Sequence, residues 1–187
     1  MDSTDLKLSL RKQYIDRRNK LSEEEFLRKS ERIEKRVLDL DEMKKAKSVS
    51  CYISINNEVD TAQIINSLVK KGVLVYVPKY FYGKWVFSRF ESWEKMQGGY
   101  KNIFEPEDLI LADSDFDVSI IPGVAFDKNG VRLGYGLGVF DKLLAGSKAY
   151  KIGLAHDFQI VDEIPREKHD LVMGMVVTER RTLVASG

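Results

Sequence analysis

Two short apolar runs with one helical period between them constrain this chain more than anything else in it. Residues 48–55 read SVSCYISI and residues 73–77 read VLVYV, both of strand length and rich in β-branched side chains. Between them Ile64, Ile65, Leu68 and Val69 recur with helical spacing, and Gly72 stands where such a helix ends. Strand, helix, strand in that order is a βαβ unit, whose two strands lie parallel. Asn56 and Asn57 mark the end of the first strand, and Asp60 or Thr61 is placed to cap the helix. Pro78 is expected to stop the second strand, since proline cannot donate to a ladder. Glu58 falls where the first strand's carboxyl end meets the helix, the edge at which open α/β sheets bind ligands. The alternative is that Glu58 is an ordinary first-turn acid. Cys51 reads as a buried structural thiol, with no partner base or metal-ligand spacing nearby.

Residues 117–144 repeat the theme with a different connection. DVSII is a buried strand by composition, ended by Pro122 and Gly123. Asp127-Lys128-Asn129-Gly130 is a turn signal. The run RLGYGLG, residues 132–138, then leads into VFDKLL, which has helical spacing. A strand feeding a glycine-rich loop and a helix start is an arrangement that phosphate binding uses. Gly134, Gly136 and Gly138 let backbone approach a ligand, while Arg132 and Lys142 bracket the loop with positive charge. Asp141 is placed either to cap the helix or to hold a metal that bridges phosphates. The rival reading is a tight turn whose glycines serve packing alone. The spacing is neither a Walker loop nor a Rossmann fingerprint.

Residues 5–20 look helical and basic. Lys7 and Arg11 lie four apart and share a face, able to grip a polyphosphate or simply to face solvent. Ser22 to Glu25 is a capping box opening a second helix, with Phe26, Ile33, Val37 and Leu40 as its buried stripe. Residues 80–93 hold much of the aromatic content and read as a hairpin or covering strand. Those rings serve core packing or wall a flat ligand. Residues 94–116 read as a long surface loop. Residues 151–155 and 175–178 are further strands, the latter the last in the chain. His156 lies at a strand's end, as polar lining or as a loop histidine.

With 187 residues, one domain over 1–187 is expected. A net charge of +1 gives no field that argues for nucleic acid or membrane. A single cysteine excludes an internal disulfide and fits a reducing compartment. No run is long enough to cross a bilayer and the amino terminus is not a signal peptide, so a cytoplasmic protein is expected. Two histidines without a third ligand make no zinc site, and no Ser-His-Asp or Cys-His arrangement stands out.

The segment IPGVAFDKNGVRLGYGLGVFDKLL resembles the signature of the 5-formyltetrahydrofolate cyclo-ligase family. Three further pieces agree in order: Lys7 with Leu10 and Arg11, residues 53–61 (ISINNEVDT), and Gln159 followed by Ile164-Pro165 and His169-Asp170. The resemblance implies a three-layer α/β/α sandwich with a mixed, largely parallel sheet. It implies ATP- and Mg²⁺-dependent ring closure, in which ATP phosphorylates the formyl oxygen of 5-formyltetrahydrofolate. The neighbouring nitrogen then attacks, and phosphate leaves to give 5,10-methenyltetrahydrofolate and ADP. By matching position, Lys7, Arg11 and the loop Arg132, Leu133, Gly134, Tyr135, Gly136, Leu137, Gly138, Val139 and Phe140 bind the nucleotide. Ile53 and Glu58 line the folate site together with residues Tyr135 to Val139. Arg132 and Tyr135 take the catalytic roles, and Asp141 and Asp170 hold Mg²⁺. Small molecules are the implied partners, and the chain is expected to act as a monomer.

Four positions depart from the family pattern. Val139-Phe140 stand in place of paired tyrosines, Leu137 where many members carry lysine, and Gly174 where an acidic residue is common. The alternatives they leave open are a homologue that binds nucleotide and folate without turnover, or a ligase for a related pterin.

Overall fold

The computed structural model describes residues 3–112, 115–167 and 170–185. The chain opens with α1 (Ser3–Asn19), α2 (Glu23–Asp39) and α3 (Asp41–Lys45). The capping box at Ser22 forms as expected: its hydroxyl accepts from the Glu25 amide at 3.2 Å. Then come β1 (Ser48–Cys51), α4 (Ala62–Lys70), β2 (Leu74–Phe81) and β3 (Lys84–Arg89). A small hairpin follows, β4 (Met96–Gly98) with β5 (Phe104–Pro106). Next are β6 (Val118–Pro122), β7 (Ala125–Asp127), β8 (Arg132–Leu133) and α5 (Val139–Leu143). The chain continues through β9 (Tyr150–Leu154), β10 (Ile160–Val161), β11 (Met175–Val177) and β12 (Thr182–Val184).

Seven strands form the main sheet in the order β12-β11-β9-β6-β1-β2-β3. The central five run parallel, and the two edge strands are antiparallel. The βαβ unit read from the sequence is β1-α4-β2. The sheet is covered on both faces, and alternation along single strands shows it. Val75 and Val77 join the core with α2, α3 and α4, whereas Tyr76 joins the opposite core. Ile120 and Ile121 divide the same way. The second face carries α5 and a smaller sheet, β10-β7-β8, on which α1 packs through Leu10 and Tyr14. The helical layer on that side is therefore partly replaced by strands.

Several boundaries differ from expectation, each for a local reason. β1 ends at Cys51, not at 55, because Tyr52 turns away and its hydroxyl donates to the Val59 carbonyl at 2.7 Å. β2 runs through Pro78 to Phe81. The Phe90 amide bonds the Val75 carbonyl, while the Tyr80 amide points off to Glu105 Oε2 at 2.9 Å. Amides of residues 76, 78 and 80 therefore face away from β3, toward the β1 side, where the ladder with β1 ends at Tyr76. Proline at 78 forfeits no ladder bond. The β2–β3 hairpin turns at Tyr82 and Gly83, as the aromatic stretch suggested. The expected loop 94–116 contains the β4–β5 hairpin, clipped to β2 by buried Lys79 on Glu105 (3.3 Å) and on the Pro106 carbonyl (2.6 Å). β12 follows β11, so residues 175–178 are not the last strand. Val69 is exposed, leaving Ile64, Ile65 and Leu68 as the inner face of α4. Cys51 is buried, and burial raises its thiol pKa far above the ordinary range.

Candidate active site

β1 is paired with β2 on one side and β6 on the other, so strand order reverses there. Chains leaving the carboxyl ends of β1 and β6 diverge and open a crevice, as this topology dictates. A cavity of about 960 Å³ fills it. One wall is the segment after β1, with Ile53, Ile55, Asn56 and Glu58. The opposite wall is the loop 134–138 and the start of α5. Trp85, Lys101 and Ile103 close a third side.

The glycine loop has the character the sequence suggested. Gly136 (φ 95°) and Gly138 (φ 62°) take left-handed conformations that side chains disfavour. No amide from 134 to 138 donates a hydrogen bond to another described residue. The loop is held from outside instead: Arg11 Nε donates to the Gly134 carbonyl at 2.8 Å, and its guanidinium lies over Gly136. With α5 only five residues long, the loop amides, not a helix dipole, supply the positive lining. Leu133 reaches the cavity wall, but its side chain is core, packed with Ala125, Val131 and Ile164. Leu137 is exposed at the rim, and Val139 and Phe140 line the cavity as apolar groups.

The charged groups are arranged in pairs. Arg132 Nη2 donates to Asp141 Oδ2 at 2.6 Å and Nη1 to the Pro122 carbonyl at 3.2 Å, leaving its buried Nε without a partner among the described residues. Asp141 Oδ1 accepts the Leu171 amide at 3.2 Å, so Asp141 does not cap α5. Lys7 is buried, not solvated. Its Nζ donates to Glu167 Oε1 at 2.9 Å and to Asp170 Oδ2 at 3.2 Å. Burial pulls the Lys7 pKa down, but those two carboxylates outweigh it and hold it above the ordinary lysine value. Asp141, Glu167 and Asp170 all line the one cavity. Their hard oxygen donors suit Mg²⁺, which takes one or two carboxylates and completes its shell with phosphate oxygens and water. His169 lies outside the described residues.

At the floor, Glu58 is buried, with Oε2 accepting the Ile55 amide at 3.1 Å. Burial pushes its carboxyl up to about 7, against the pull of Arg18 and of that amide. Tyr135 sits above it, its hydroxyl pushed up to about 12 by burial and the neighbouring Glu58. Arg18 donates from Nη2 to the Tyr135 hydroxyl. Arg18 went unnoticed as a site residue, yet 7, 11, 14 and 18 follow the i, i+4, i+7, i+11 spacing of a single helix face. Extending the Lys7–Arg11 stripe by two turns finds it. His156 proves fully buried behind this floor, its Nε2 3.0 Å from the Asn57 carbonyl.

A family model for the 5-formyltetrahydrofolate cyclo-ligase family matches residues 3–179. The 5-formyltetrahydrofolate cyclo-ligase of Escherichia coli K12 is 32% identical over 171 residues, 87% of this chain and 94% of its own. That of Mus musculus is 31% identical over 189 residues, covering 92% and 93%. The NMR structure of Aquifex aeolicus 5,10-methenyltetrahydrofolate synthetase matches with a TM-score of 0.86 at 34% identity, over 97% of this chain and 94% of that one. The Mycoplasma pneumoniae synthetase gives 0.73 at 27% identity, over 96% and 99%.

Proposed function

The chain belongs to the 5-formyltetrahydrofolate cyclo-ligase family, and on that premise we propose how its cavity turns 5-formyltetrahydrofolate into 5,10-methenyltetrahydrofolate with ATP and Mg²⁺. The observation that carries the reading is the glycine loop, whose amides from 134 to 138 donate to no described residue. Those amides, with Lys7 and Arg11, hold the nucleotide's phosphates. Arg132 anchors the loop's base and keeps Asp141 at the cavity wall. Asp141 and Asp170 hold Mg²⁺, which neutralises phosphate charge when bound.

The reduced pterin occupies the other half. Its ring presents N–H donors on one edge, and the Glu58 carboxylate is an acceptor in a dry floor that fits them. Ile53 and Val139 flank the ring with apolar surface. The γ-phosphoryl group passes to the formyl oxygen, the neighbouring nitrogen attacks the activated carbon and loses its proton, and phosphate leaves. Such transfer depends on positioning and charge neutralisation more than on a protein nucleophile. That is why a site with no serine or cysteine pairing suffices. The reading keeps the protein in the cytoplasm as a monomer acting on small molecules, without nucleic acid or membrane. No helix among the described residues is long and apolar enough to cross a membrane.

The test is turnover of 5-formyltetrahydrofolate with ATP and Mg²⁺, followed by the near-ultraviolet absorbance of the methenyl product. Arg132→Ala and Asp141→Ala are each expected to lower kcat/KM by roughly 10- to 150-fold, the loss of one charged hydrogen bond. Wild-type kinetics in both variants contradict the loop assignment. Binding of both ligands without turnover supports the non-catalytic homologue instead.

A further inference from the structure

We propose that Arg18 is a positioning residue for the ring closure: from beneath the cavity floor it holds the Glu58 carboxylate and the Tyr135 hydroxyl together. The proposal rests on the reading of Glu58 as the carboxylate that receives the pterin. Arg18 is 1% exposed and forms no part of the cavity wall, whereas Glu58 and Tyr135 both do. Its Nη2 donates to the Tyr135 hydroxyl, its Nη1 lies 4.0 Å from Glu58 Oε1, and its Cζ sits 5.5 Å from the Tyr135 ring centre. Its carbonyl accepts Asn57 Nδ2 at 3.4 Å, so the same residue also holds the turn that carries Glu58.

As a stability device this arrangement is poor. Arg18 Nε has no hydrogen-bond partner among the described residues, and buried ion pairs are often matched or bettered by apolar side chains of similar volume. What the guanidinium supplies is geometry. Its planar fork reaches two groups on different segments, one from the turn after β1 and one from the glycine loop. The groups facing Glu58 are few. Arg18 comes from α1, Tyr135 from the loop, Arg132 from β8, Tyr52 from the end of β1, and the Ile55 amide from Glu58's own turn. Arg132 is committed to Asp141 at 2.6 Å. Arg18 is therefore the cation on which the charged form of Glu58 depends.

The test compares kcat/KM for 5-formyltetrahydrofolate against pH in wild type, Arg18→Met, Arg18→Gln, Arg18→Lys, Glu58→Gln and Arg18→Met/Glu58→Gln. The acid limb is expected to move up by about one pH unit or more in both neutral variants. That shift lowers activity by about tenfold or more well below the limb, with recovery as pH is raised. Arg18→Lys brings the limb back toward the wild type. In the Glu58→Gln background, Arg18→Met adds less than about a threefold loss, because the two residues act as a unit. Unchanged limbs in Arg18→Met and Arg18→Gln overturn the proposal, as does full additivity in the double variant. Wild-type kcat/KM in Glu58→Gln instead overturns the underlying placement of the pterin.

Discussion

His156 and Glu58 are neighbours through the Asn57 carbonyl, and burial moves them in opposite senses. Burial pulls the His156 imidazole down to about 4 and pushes the Glu58 carboxyl up to about 7. A depressed histidine contributes stability that is full above its unfolded value of 6.5 and lost as pH falls through about 4. A raised carboxyl contributes stability that is full below 4.5 and lost as pH rises through about 7. Between pH 4.5 and 6.5 the two slopes oppose each other, each at most about 1.4 kcal/mol per pH unit. Urea unfolding across that window is expected to show little dependence from this pair in the wild type. Glu58→Gln unmasks stability rising with pH, and His156→Gln unmasks stability falling with pH. Parallel pH profiles in all three proteins contradict the assignment. Neither burial was legible in the sequence. Nothing near His156 in the chain announces that Asn57, on a turn 99 residues away, supplies its partner.

Among the elements, α1 ties the site together although its residues are mostly polar. Lys7 grips Glu167 and Asp170, Arg11 the glycine loop, and Arg18 the floor. The βαβ unit and the strand–loop–helix order at 118–143 were readable because periodicity and glycine placement are local signals. The passage of β2 through Pro78 was not, because it depends on β1 stopping short at Cys51. The β4–β5 hairpin was missed for a similar reason. Its anchor is the buried pair Lys79–Glu105, with side chains only 6% and 9% exposed. Removing one member of such a pair strands the other charge. Glu105→Ala is expected to cost about 3 kcal/mol in chemical denaturation, and Lys79→Met/Glu105→Leu to recover most of it. A loss below about 1 kcal/mol in the single variant denies the hairpin this anchor.

Across the whole molecule, one topological fact places the cavity: β1 lies between β2 and β6, so the sheet's carboxyl edge splits and the crevice opens there. The signature residues of 121–144 and 53–61 are far apart in sequence, yet they form opposite walls of the same crevice. The resemblance named those residues, but the pairing of Arg132 with Asp141 and of Lys7 with Asp170 required the fold. The proposed phosphate site depends on the loop amides. The most direct measurement is a titration of the ¹⁵N-labelled protein with Mg²⁺-ADP, following the backbone amide signals. The largest shifts are expected at residues 134–138, accompanied by slower exchange of those protons with water. Saturable nucleotide binding that leaves those five amides unmoved, with the shifts concentrated elsewhere, contradicts it.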